Sequence, residues 1–165
     1  MNENTISQIV SQVLSDVRRS TEAKCITLSQ ARRLIAKVEE KAAQIGVRAV
    51  VAVTNTAARP VAVECMDDSF IASYDVALNK AFTVVALKMS TIELKSITKP
   101  GDSLYGIQFT NDGKIVVFGG GDPLRYNGAI IGGLGVSGGT EEQDTMLSAY
   151  GASVLPEIMK GEKHE

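Results

Sequence analysis

The sequence predicts an α+β fold in one domain: a five-stranded, mainly antiparallel sheet with helices packed on it. Three observations carry that reading. Two β-branched apolar runs, residues 47–54 and 61–66, are joined by Ala57-Ala58-Arg59-Pro60, the pattern of an antiparallel hairpin. Three capping boxes, Thr27/Gln30, Ser90/Glu93 and Thr140/Gln143, mark helix starts. A run of small and β-branched residues over 129–136, with glycines at 132, 133 and 135, suits a strand against which another segment packs closely. A chain of 165 residues, 44% apolar and 22% charged, fits one soluble globular domain with an ordinary core.

Taken in order, residues 5–17 give the cleanest helical pattern. Ile6, Ile9, Val10, Val13, Leu14 and Val17 form one apolar stripe, and a helix this short needs something to cover it. We divide the chain into this amphipathic helix (1–19), a polar linker (20–25) and a core domain (26–160). After the Thr27 cap, Ala31, Leu34, Ile35, Val38, Ala42 and Ile45 set a buried face, and Gly46 ends the helix. Strands are expected at about 49–54 and 61–66. A helix is expected over 70–89 and a short one from Ser90. The Asn111-Asp112-Gly113 turn predicts a hairpin between strands at 105–110 and 114–118. Gly119, Gly120 and Gly121 read as a loop of bare backbone before the fifth strand at 129–136. That strand runs into Ser137-Gly138-Gly139 and the cap Thr140, with Glu141, Glu142 and Asp144 in the first turn of a last helix.

Composition narrows the functional classes. A net charge of −2, a pI near 5.5 and no tryptophan argue against a nucleic-acid surface or an anionic membrane. Cys25 and Cys65 form neither a CxxC pair nor a disulfide framework. The one histidine, His164, sits next to the end, so nucleophilic triads and zinc sites are set aside. No signal-peptide pattern or membrane-length apolar run is read, which predicts a cytoplasmic protein. Two readings of the 137–140 corner stand side by side: a turn that needs glycine, and a cradle of N–H groups for an anionic or carbonyl ligand. Lys80, among Ala77, Ala81 and Val84, is either a snorkelling lysine or a buried ammonium held for a ligand or a carboxylate.

Residues 135–144, GVSGGTEEQD, resemble the signature of the HbpS/GlcG-like family. That family includes the C-terminal domain of PduO-type corrinoid adenosyltransferases, small glycolate-operon proteins and secreted haem-binding proteins. Asp75, Ala77, Lys80 and Ala81 match its D-x-A-x-x-K-A pattern, and Gly120 to Leu124 its GGxPL loop. Residues 55–59 depart from its usual Asp-x-x-Gly turn. The resemblance implies a profilin-like domain, a homo-oligomer from dimer to octamer, and haem or a corrinoid (cobalamin-related) ligand at a subunit interface. The implied cofactor-binding residues are Lys80, Gly119, Gly120, Gly121, Ser137, Gly138, Gly139 and Thr140. Haem iron takes His, Cys, Met or Tyr. This chain departs from the haem-binding relatives in having no core histidine, and the resemblance makes Cys25 the first choice of axial ligand, because it lies just before the first core helix, near where relatives carry ligands, ahead of Cys65, Met66 and Tyr105. The helix over 1–19 resembles the encapsulation peptides that deliver cargo to a bacterial microcompartment. These expectations describe a binding accessory protein inside a microcompartment. The competing readings are an enzyme on a small carbonyl compound or a tetrapyrrole, with Lys80 as electrophile or base, and a purely structural oligomer.

Overall fold

The computed structural model describes residues 25–160 together with Ser7, Gln8, Val10 and Ser11, which are helical and exposed. The rest of the 1–19 helix, nearly all of the 20–25 linker and the tail from 161 lie outside the described residues. The core has four helices and a four-stranded antiparallel sheet: α1 (Leu28–Gln44), β1 (Val50–Thr54), β2 (Pro60–Cys65), α2 (Ser73–Leu87), α3 (Thr91–Lys95), β3 (Gly121–Tyr126), β4 (Ala129–Ser137) and α4 (Glu141–Lys160). The strand order is β2-β1-β4-β3.

Each face of the sheet is covered, and β1 shows why its run is unbroken in apolarity. Val51 and Val53 join Leu34, Ile35 and Val38 of α1 and Leu147 and Leu155 of α4 in one cluster. Val50 and Ala52 point the other way, to Ala77 and Ala81 of α2. With both sides buried, alternation disappears and all five residues are apolar or, at Thr54, bonded through the side chain to the Ala81 carbonyl. The three capping boxes form as expected at α1, α3 and α4. The β1–β2 hairpin also forms, and Asn55 Oδ1 organises its turn by accepting from the Ala57 and Arg59 N–H groups.

The glycines of β4 do what a close approach requires. A Cβ at Gly135 would stand 2.0 Å from the Ala77 carbonyl oxygen of α2. The helix therefore lies on bare backbone, too near for any side chain there.

Two of the five expected strands, 105–110 and 114–118, do not form, and one that was not expected does, so the sheet has four strands. Residues 105–110 form turns and a 3-10 segment, Ile107–Phe109, and 114–118 pair with no strand. Asn111, Asp112 and Gly113 all have positive φ, and they close a second 3-10 turn rather than a hairpin. One backbone group beyond them is met by a side chain: Val116 N donates to Thr83 Oγ1, whose own proton lies between the Asn79 carbonyl at 2.7 Å and the Lys114 carbonyl at 3.2 Å. The unforeseen strand is β3, within the segment expected to be a loop. It tolerates Pro123 because it is an edge strand, where a missing N–H breaks no second ladder. Likewise α2 is shorter than expected, starting after the turn at 70–72 and ending where Lys88 turns left-handed.

Candidate functional site

Lys80 is completely buried. Its ammonium donates to Asp144 Oδ2 at 2.8 Å and to the Val136 carbonyl at 2.7 Å, and the Phe118 ring lies 4.9 Å away. Two hydrogen bonds and a cation–π contact occupy the three donors of the ammonium. Asp144 uses its other oxygen to accept from Gly139 N at 2.9 Å. One carboxylate in the first turn of α4 thus ties the glycine corner to the middle of α2. Burial pushes the lysine below its ordinary pKa, opposed by the charge and hydrogen bond of Asp144. Burial likewise pushes the Asp144 carboxyl up, against Lys80 and the Gly139 and Gly138 N–H groups.

The triple-glycine segment is the roof of this pair. A Cβ at Gly120 would lie 2.5 Å from Lys80 Nζ and 2.7 Å from Asp144 Cβ, and its φ of +109° already favours glycine. Gly119 N donates to Glu141 Oε1, Gly121 N to Thr91 Oγ1, and the Gly120 carbonyl accepts from Val136 N. Glu141 also pairs with Lys95. The Gly119 N–H and then Lys95 hold its carboxyl below the ordinary range.

The expected residues Lys80, Gly119, Gly120, Gly121, Ser137, Gly138, Gly139 and Thr140 therefore do converge, around an internal ion pair. Ser137 Oγ meets Ser73 Oγ at 3.2 Å, and Thr140 N donates to Gln143 Oε1. The N–H groups of Gly139 and Thr140 are taken by the first turn of α4 itself. Lys80 is the buried ammonium of the two alternatives, and what it meets is a carboxylate.

Asp144, Glu141, Thr91 and Phe118 were not singled out for this cluster. Asp144 is visible in the sequence only as an acid in a helix first turn, a position that the helix dipole explains without any partner. Its distance from Lys80 along the chain hides the pairing.

Cys25 stands elsewhere. Its thiol is exposed and 2.8 Å from Thr56 Oγ1, and the next residue is anchored by Ile26 N donating to the Ile131 carbonyl. Lys80 meets the same strand at Val136. Five residues of β4 separate the two anchors, roughly 17 Å of strand. Within one protomer they do not form one site. Cys65 is exposed, Met66 Sδ accepts from Ala49 N, and Tyr105 is exposed. Among the described residues no group of three His, Cys, Asp or Glu side chains could hold a metal ion, and no helix is long and apolar enough to cross a membrane.

The protein is thus a small α+β domain with a glycine loop locked over a buried Lys–Asp pair. The chain belongs to the HbpS-like family: the family model described as "Haem degrading protein HbpS-like" matches residues 26–153. It is 41% identical to an uncharacterized 15.0 kDa protein in the dhaT-dhaS intergenic region of Citrobacter freundii, over 86% of this chain and 100% of that one. It is 36% identical to the corrinoid adenosyltransferase PduO of Salmonella typhimurium over 76% of this chain, but it spans only 38% of that protein. Among solved structures, the PduOC:heme complex superposes with a TM-score of 0.75 at 35% identity, covering 78% of this chain and 94% of that one.

Proposed function

We propose that this protein is a haem-binding accessory protein of a bacterial microcompartment, working as a homo-oligomer. The observation that carries the reading is the relative solved as a haem complex, whose fold this chain shares over nearly all of its core. The residues here fit the group. Haem iron takes a His, Cys, Met or Tyr donor, and Cys25 supplies an exposed thiol at the edge of the core. Exposed Arg32 and Arg59 add cationic side chains on the elements flanking that end. A haem held there offers a redox-active iron. What the chain does is supply the donor and fix its position through Thr56 and the Ile26–Ile131 hydrogen bond. In this reading the glycine corner and Lys80 stiffen the wall of the domain, and the exposed backbone of Gly139 and Thr140 forms part of a subunit-interface rim.

Placement in a microcompartment rests on the PduO relatives and on the apolar stripe of residues 1–19, which we read as a delivery tag. The family description, haem-degrading, favours a second reading in which the bound tetrapyrrole is broken down. The small-carbonyl enzyme reading loses its main support, because Lys80 has no exposed surface and no free donor.

Titration of the apoprotein with haemin tests the first reading. A saturable Soret shift is expected, weakened at least tenfold in Cys25→Ser with no change in thermal midpoint. Equal affinity in the variant would remove Cys25 as the ligand. Loss of the Soret band on adding reductant and oxygen, absent from a haem-only control, would mark the second reading.

A further inference from the structure

The β3–β4 hairpin turns on Asn127 and Gly128, the one Asn-Gly step in the sequence. Both residues have positive φ, 49° and 80°, the type I′ turn that this dipeptide favours. Both are exposed. The flanking pair, Tyr126 and Ala129, carries the last ladder bonds, so the Gly128 N–H is spent on neither strand. The Asn127 carboxamide has no hydrogen-bond partner among the described residues. A Cβ at Gly128 would meet nothing within 4 Å, so the space beside the turn is open.

We propose that Asn127 is a self-modification site, where the Gly128 peptide nitrogen attacks the Asn127 side chain and converts it to aspartate and isoaspartate. The nitrogen bonds to Asn127 Cγ, and the carboxamide nitrogen leaves as ammonia, taking the peptide proton. A five-membered succinimide remains, which water then opens. Opening at Cγ leaves aspartate. Opening at the backbone carbonyl leaves isoaspartate, whose main chain runs through Cβ and is one carbon longer. One water enters and one ammonia leaves, and no oxidant or reductant is involved. The inference goes beyond the function proposed above and holds whether or not haem binds.

The other described asparagines lack this combination. Asn55 Oδ1 accepts from the Ala57 and Arg59 N–H groups, and Asn111 Oδ1 pairs with the Thr110 hydroxyl. Asn79 lies within α2, where the following N–H belongs to the helix ladder. Each is followed by a residue whose side chain crowds the attacking nitrogen: Thr56, Asp112 and Lys80.

Place in the sheet gives the attack its opportunity and its consequence. β3 is an edge strand, and beyond its bulge only two pairs, Arg125–Ile130 and Tyr126–Ala129, hold the tip. Such a tip opens at far lower cost than the whole fold. The bulge leaves Ile131 opposite no β3 residue, and the Ile131 carbonyl accepts from Ile26 N at 2.8 Å. Aspartate tolerates a left-handed φ as asparagine does, so that product keeps the turn. Isoaspartate lengthens a two-residue turn. It should release the two outer pairs and with them the Ile26 anchor, while Leu124–Gly132 and the pairs inside the bulge hold.

Incubation of the full-length protein at mildly alkaline pH tests this, followed by peptide mass spectrometry and an isoaspartate-specific methyltransferase label. Isoaspartate at Asn127 is expected to accumulate at least tenfold faster than any change at Asn55, Asn79 or Asn111. Asn127→Gln should lower the label at least tenfold. The Ile26 amide should exchange several-fold faster in aged wild type, whereas fresh Asn127→Asp should match fresh wild type in that exchange and in thermal midpoint. An Asn127 that stays intact for as long as it takes to convert in urea would overturn the proposal. So would equal conversion at Asn55 or Asn111, or a label undiminished in Asn127→Gln. Faster Ile26 exchange already present in fresh Asn127→Asp would assign the loosening to charge and overturn the isoaspartate step.

Discussion

The buried face of α2 and the turn that leads into it differ in what completes them. On the buried face, an ammonium and a carboxylate meet with every donor satisfied; in the turn, a phenylalanine and an isoleucine stand in water. An ordinary surface helix buries its apolar stripe and hydrates its charges. α2 does bury its apolar stripe of Ala77, Ala81 and Val84, and its one departure is that it buries the charge of Lys80 as well. A buried pair is expensive to dehydrate and is kept only where its hydrogen bonds are complete. Here they are complete within one chain, through Val136, Phe118 and Gly139. Among the described residues, Phe70 and Ile71 before the helix stay largely exposed.

Removing one member of the inner pair is the largest test of this contrast. Asp144→Ala strands a buried ammonium and frees Gly139 N, which is expected to destabilise the fold by about 3–5 kcal/mol. At about 2–4 °C per kcal/mol for a chain of this length, the thermal midpoint should drop by roughly 10 °C or more. Lys80→Met combined with Asp144→Leu should recover much of that loss, because no uncompensated charge is then left inside. If Asp144→Ala melts with the wild type, the pair does not hold the corner and the contrast between the buried face and the turn fails.

A smaller effect is expected at the roof. Gly120→Ala puts a methyl group 2.5 Å from Lys80 Nζ in a backbone region that L-residues avoid. A cost of about 1–3 kcal/mol follows from the conformation, with displacement of the ammonium added to it. Hydrogen exchange at Gly119, Gly120 and Gly121 should quicken with it, while the amides of β1 stay protected. Uniform quickening would mean that the segment is part of the general core rather than a roof over one ion pair.

How far the sequence reached depends on how local each signal was. The capping boxes lie within four residues of chain, and all three form. The β-branched hairpin and the glycine-rich β4 are also local patterns. The failures are non-local. Residues 114–118 have strand composition, but Val116 N is taken by Thr83 Oγ1, and a side-chain hydroxyl on a distant helix leaves no mark in the segment it serves. β3 was hidden by Gly121 and Pro123, which read as a loop until the strand is known to be at an edge. In the site, Lys80 was visible as a charge among small residues. Asp144 was visible only as a dipole-favoured acid. Their meeting required the fold.

The smallest expected effect is at the rim of the same corner and depends on pH. Glu141 accepts from Gly119 N and pairs with Lys95 while remaining partly exposed. These partners lower its pKa in the folded state from the ordinary value of 4.5. A carboxyl lowered by folding stabilises the fold fully above its unfolded pKa, and that contribution is lost as the pH falls through the folded value. Asp144 runs the other way. Its folded pKa is raised, so its share favours the fold in acid and is lost as the pH rises through that value. Total stability against pH mixes the two signs, but the difference between wild type and Glu141→Gln isolates the rim. The amide oxygen can still accept from Gly119, so only the charge is removed. The midpoint should fall by about 1–3 °C at pH 7, as befits a partly exposed ion pair worth up to about 1 kcal/mol. That gap should close as the pH drops below 4.5 and the wild-type carboxyl takes up its proton. A gap that persists unchanged at pH 3 would mean that Glu141 acts through packing, and the acidic rim would cease to be part of what holds the glycine roof over Lys80.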